Sequence, residues 1–139
     1  MIEAEQQAID LDWFFTDGRF IGFVASAGGK LPDSVARFPE NSNKLEIYFR
    51  GLSEISSVIV RSKKDRKYLK DFTYMSARGL FAFDKTVLNN FSESNYHLVS
   101  KPLNPLTIDK VSEEIKGLLI LTKTNYNVDN IDFDVKSII

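Results

Sequence analysis

Leu11, Trp13 and Phe15 alternate with Asp12, Phe14 and Thr16, and the dipeptide Asp17-Gly18 follows before a second apolar run, Phe20–Val24. A period of two puts each alternating set on its own face of a strand. Asp-Gly favours the positive backbone angles of a two-residue hairpin turn. The segment Ile9–Pro32 is therefore expected to hold a β-hairpin in which Thr16 faces Arg19, Phe15 faces Phe20, Phe14 faces Ile21, Trp13 faces Gly22, Asp12 faces Phe23 and Leu11 faces Val24. Both faces of that hairpin are largely apolar. A ribbon that must be covered above and below belongs inside a sheet, so the remaining chain is expected to wrap around it, with the Trp13 indole covering Gly22.

The rest of the pattern supplies the cover. Residues 1–8 read as a short helical or frayed lead-in. Pro32-Asp33-Ser34-Val35 can open one helical turn that Pro39 stops, and Asn43 with Glu46 forms a capping-box pattern ahead of Leu45, Tyr48, Phe49 and Leu52, an apolar helix face ending near Gly51. Ser57–Arg61 is short and β-branched, a strand signal. Asp65 opens a second helix with Tyr68, Leu69, Phe72 and Met75 on one face and Gly79 as its stop. Leu80–Asp84 and Asn95–Lys101 form a second hairpin around a polar loop, Lys85–Glu93. Thr107 or Asp109 caps a further helix carrying Ile108, Val111, Ile115, Leu118 and Leu119. Ile131, Phe133 and Val135 alternate with Asp132, Asp134 and Lys136 as a terminal strand. With 139 residues, no repeat and no linker, the expectation is one α+β domain over 1–139. Its sheet is mostly antiparallel and carries three or so packed helices.

Composition narrows the chemistry. A net charge of −1 gives no global attraction to nucleic acid or to a membrane surface. The absence of cysteine removes disulfides, thiolate nucleophiles and cysteine metal sites together. The first residues lack the apolar core of a signal peptide and no run is long enough to span a membrane, which makes the cytoplasm the expected location. His97 is the one histidine, so a two-histidine metal site cannot form within one chain. No nucleophile–base–metal set emerges, no cofactor or metal is expected, and the balance falls against catalysis.

Two groups of residues remain as candidate sites. In Arg61–Lys70, six basic residues (Arg61, Lys63, Lys64, Arg66, Lys67 and Lys70) stand against one acidic residue, Asp65. The run reads as a solvated surface or, because lysines at a helix start oppose the helix dipole, as a partner-binding one; an acidic protein suits it better than nucleic acid, for which no reader motif is present. The second group, Asp12, Gly28, Gly29, Arg78 and Asp84, could form a polar network or a ligand site. Gly28-Gly29-Lys30 is not a Walker loop, because Val24 and Leu31 stand where the required glycine and hydroxyl would be. If buried, the Asp12 carboxylate is expected to be hydrogen-bonded to backbone or to an arginine such as Arg78. Asp10 shares a strand face with Asp12 as a possible carboxylate pair.

The stretches Asp12–Gly18, Ile21-Gly22-Phe23 and Ser26–Gly29, then Arg78–Asp84, then Tyr96–Val99 with Pro102 and Pro105-Leu106, resemble a group of small bacterial proteins. Some of these are similar to immunity proteins encoded beside polymorphic or contact-delivered toxins. The resemblance spans most of the chain and rests on hydrophobic and turn signals, so it implies a fold and no catalytic residues. It implies a non-catalytic cytosolic interaction module that binds and blocks a partner toxin. The alternatives are a small-molecule-binding domain or weak enzyme built on Asp12, Gly28-Gly29 and Arg78, and polyanion binding through 61–70.

Overall fold

A computed structural model describes residues 1–8, 10–88, 90–92, 95–122, 128 and 132–134. Strands β1 (Asp12–Thr16) and β2 (Ile21–Ala25) pair antiparallel, as the alternation predicts, and Trp13, Phe14, Phe15, Ile21, Phe23 and Val24 are all buried. The register differs from the expected one. Thr16 faces Ile21, Phe15 faces Gly22, Phe14 faces Phe23, Trp13 faces Val24 and Asp12 faces Ala25. The connection has four residues because the Asp17 carboxylate accepts from the Arg19 and Phe20 amides at 2.9 and 2.8 Å, and the Thr16 hydroxyl donates to the Phe20 carbonyl at 2.7 Å. A two-residue turn of the expected kind needs positive φ at both central residues, and here Gly18 alone adopts it, at +95°. Since the shift is by two, every side chain keeps its face, but Phe15 rather than Trp13 covers Gly22.

Strands β3 (Val58–Val60), β4 (Phe81–Lys85), β5 (Asn95–Pro102), β6 (Ile120–Leu121) and β7 (Asp132–Asp134) complete the sheet among the described residues. The order is β3-β5-β4-β2-β1-β6, with β7 on the outer side of β5 beside Asn95–His97. Four pairings are antiparallel, while β2–β4 and β1–β6 are parallel. The sheet of this α+β domain is thus mixed, with the expected hairpin at its centre and the expected β4–β5 hairpin beside it. Ile131, Val135 and Lys136 of the expected terminal strand lie outside the described residues, as do Ile9 and Glu93.

Among the described residues, five helices accompany the sheet: α1 (Glu3–Ala8), α2 (Asp33–Arg37), α3 (Pro39–Arg50), α4 (Arg66–Ala77) and α5 (Glu113–Lys116). On one face Leu45 and Phe49 of α3 and Leu69, Phe72 and Met75 of α4 pack on Phe14, Phe23, Ala82 and Val99. On the other, Leu31, Val35 and Ala36 cover Trp13, Phe15, Val24, Phe83, Tyr96 and Leu98. The helix α4 begins and ends where its signals predict, with the Asp65 carboxylate accepting from the Tyr68 amide at 2.9 Å and Gly79 at φ +98°. Pro39 opens α3 at its first turn instead of stopping the chain, which leaves Asn43 inside the helix; proline suits a helix start because its missing N–H has no intrahelical partner there. The helix expected from Thr107 is broken into a 3-10 turn at Ile108–Lys110 and the short α5, because Val111 is extended, at ψ 144°. Val111, Ile115 and Leu119 nevertheless reach the core. No helix among the described residues is long and apolar enough to cross a membrane.

Candidate functional site

The basic run occupies the β3–α4 loop and the first turns of α4. Arg61, Lys63, Lys64, Arg66, Lys67 and Lys70 are all exposed. Arg66, Lys67 and Lys70 follow a three-to-four-residue spacing, which places them on one outward helix face. Lys64 is the member tied inward: its ammonium lies 4.2 Å from the Tyr68 ring centroid and 3.7 Å from the Asp84 carboxylate. Among the described residues, Arg61, Lys63, Arg66, Lys67 and Lys70 form no ion pair, so their charge faces solvent.

Asp12 and Asp84 of the second candidate group do come together. They line a cleft of about 220 Å³ on the α3–α4 side of the sheet, with Asp10, Tyr68, Asp71 and the apolar floor of Phe23 and Phe72. Asp12 opens β1 and Asp84 lies near the end of β4, so the cleft forms where β2 and β4 run side by side to their carboxyl ends. Asp84 is 1% exposed. It accepts from the Tyr68 hydroxyl at 2.5 Å and from the Lys85 amide at 2.9 Å. Burial, and then donation to Asp84, push the Tyr68 hydroxyl above its usual range.

Asp12 has an arginine partner, but it is Arg50 and not Arg78. The Arg50 guanidinium sits 3.5 Å from Asp12, 2.9 Å from Glu46 and 3.8 Å from Asp71. Burial, reinforced by the Glu46 and Asp10 charges, pushes the Asp12 carboxyl up to about 7 against the opposing pull of Arg50. Asp12 therefore holds its proton up to near-neutral pH. Arg78 caps the far end of α4, stacked 3.5 Å over the Tyr74 ring and bonded at 3.0 Å to the Tyr74 carbonyl. Arg50 was discernible only as the i,i+4 partner of Glu46 beside the apolar face of Leu45 and Phe49.

Gly28 and Gly29 lie apart from the cleft's carboxylates. Ser26–Gly29 is a tight turn closed by the Gly29 amide on the Ser26 carbonyl at 2.8 Å, with Ala27 and Gly28 at φ +49° and +72°. The Ala27 amide donates to Asp10 at 2.9 Å. With the Ala27 and Gly29 amides engaged inside the protein, the loop does not present them as an anion cradle. Gly29 is required by packing instead: a Cβ there would stand 2.9 Å from Cδ and Cε of Lys85. Lys85, expected in a loop, is the last residue of β4 and is buried beside Tyr96. Phe81, Phe83 and Lys85 share one strand face, so the alternation already carried that signal. His97 faces Asp84 across the sheet, with its Nδ1 3.4 Å from the Thr86 hydroxyl. Among the described residues, no group of three acidic or histidine side chains could hold a metal ion.

No known protein family, curated protein or solved structure matches this chain.

Proposed function

We propose that this chain is a non-catalytic cytoplasmic interaction module that binds a protein partner through the basic surface of Arg61–Lys70. The observation that carries the reading is the disposition of its charge. The side chains of Arg61, Lys63, Arg66, Lys67 and Lys70 are exposed and unpaired among the described residues, while that of Lys64 is tied inward to Asp84. Charges left free on a fixed scaffold speed encounter with an oppositely charged partner and suppress wrong ones. The resemblance to immunity proteins supports a partner class, a toxin whose active site the bound module would occlude.

The test is co-purification with the product of each neighbouring gene, using the native chain and the variant Lys63→Glu/Lys67→Glu/Lys70→Glu. The expected result is a stable complex with one neighbour that the variant weakens at least tenfold. Binding of neither neighbour, or unchanged binding by the variant, counts against the reading. Retention on heparin that falls steeply with salt, without any protein complex, would favour a polyanion ligand instead.

A further inference from the structure

We propose that the outer edge of β3 receives an extended acidic segment of the partner as an added strand. This deepens the protein-binding reading above and rests on it. Strand β3 ends the sheet, with β5 on its inner side. The Leu103 amide donates to the Ser57 carbonyl at 2.9 Å and the Arg61 amide to the Val99 carbonyl at 2.7 Å. Backbone groups alternate in direction along a strand, so Ser57, Ile59 and Arg61 bond inward to β5. The amides and carbonyls of Val58 and Val60 then point outward, a short row of strand positions unfilled among the described residues.

Apart from its length of three residues, the strand carries none of the devices that blunt an edge from within. Val58, Ile59 and Val60 are all β-branched and apolar, without a proline, a bulge or an inward charge, and Ile59 and Val60 are 36% and 48% exposed. Such an edge is a template for another strand. Charge decides which one. The chain leaves β3 directly into Arg61, Lys63 and Lys64, and α4, which packs against β3, presents Arg66, Lys67 and Lys70. A second copy meeting the same edge would set two strongly basic runs against each other. An acidic segment would instead gain hydrogen bonds from the edge and attraction from its flank.

The probe is a synthetic decapeptide alternating glutamate with threonine, titrated at low salt into the ¹⁵N-labelled full chain while amide hydrogen exchange is followed. The expected result is at least tenfold slower exchange at Val58 and Val60, with Ile59 little changed because its amide already bonds to β5. The same peptide N-methylated at every residue keeps its charge but loses the donors of both edges, and is expected to give no such protection. Equal effects from the two peptides, or a charge-dependent response confined to 61–70 with Val58 and Val60 unprotected, overturn the added strand and leave the basic surface standing. Absence of any response to either peptide overturns the added strand, and no response at the lysines removes the acidic-partner reading as well.

Discussion

Replacing Asp12 with asparagine should stabilise the protein by an amount that grows as pH rises from about 4 through neutrality. In the native state the Asp12 carboxyl is pushed up to about 7, chiefly by burial, whereas an unfolded chain releases that proton near pH 4. Between those values the native state holds a proton that the unfolded state has lost, so the contribution of Asp12 to stability falls as pH rises through the window. At about 1.4 kcal/mol per pH unit the full difference is ~4 kcal/mol. The side chain remains 18% exposed and lies 3.5 Å from Arg50, so solvent screening reduces this to roughly 2 kcal/mol. Asparagine keeps the shape and stays neutral at every pH, and Arg50 retains Glu46 at 2.9 Å. Urea unfolding of both proteins at pH 5 and pH 8 reads the difference from midpoints at constant slope. The variant is expected to exceed the native protein by about 0.7 kcal/mol at pH 5 and by about 2 kcal/mol at pH 8. A variant less stable than the native protein at pH 8 would refute the reasoning, because ionised Asp12 would then be a net stabilising partner of Arg50.

Two further substitutions test the packing. Gly22→Ala places a methyl group inside the Phe15 ring, which is itself buried against Trp13 and Phe83, so thermal or urea unfolding should show a loss of about 1–3 kcal/mol; a loss under 0.5 kcal/mol would mean that the ring moves freely. The Ser76 and Ser100 hydroxyls bond to each other at 2.7 Å with both residues fully buried, so removing either alone strands its partner and should cost about 1–2 kcal/mol, while the double alanine variant costs less than the sum of the singles; strict additivity would show that the pair is uncoupled.

The parts of the fold legible in the chain were those written by local rules. Helix α4 needed only the Asp65 cap, its apolar face and the positive φ of Gly79, all within fifteen residues. The central hairpin was legible in its faces but not in its register, because the Asp17 carboxylate bonds the two amides after Gly18 and widens the turn. Pairing β2 beside β4 and β1 beside β6 was not legible, since parallel neighbours are joined through long intervening chain and leave no turn signal. The same distance concealed the candidate site. The residues around Asp12 leave backbone or an arginine such as Arg78 as its partner, and the choice of Arg50 depends on how α3 lies across β1. The basic run is contiguous in sequence, so its exposure on one loop and helix start needed no long-range pairing.

That run is costly to the helix it opens. Arg66 and Lys67 stand in the first turn of α4, where the helix dipole disfavours positive charge by about 0.3–1 kcal/mol each before screening, and Asp65 is the one acidic residue set against them there. Tyr68 turns the arrangement into a fixed surface. Its ring lies under the Lys64 ammonium and its hydroxyl bonds to Asp84, a carboxylate buried in the central region of the sheet. The loop between β3 and α4 is thereby pinned at one point, and the five remaining cations project from a backbone whose position is already set. A surface ordered before encounter loses less freedom on binding than a flexible basic tail would, so its charges can select a partner's shape as well as its sign. Cutting the pin with Tyr68→Phe removes no charge, yet on this reasoning it weakens partner binding while leaving the dependence on salt unaltered.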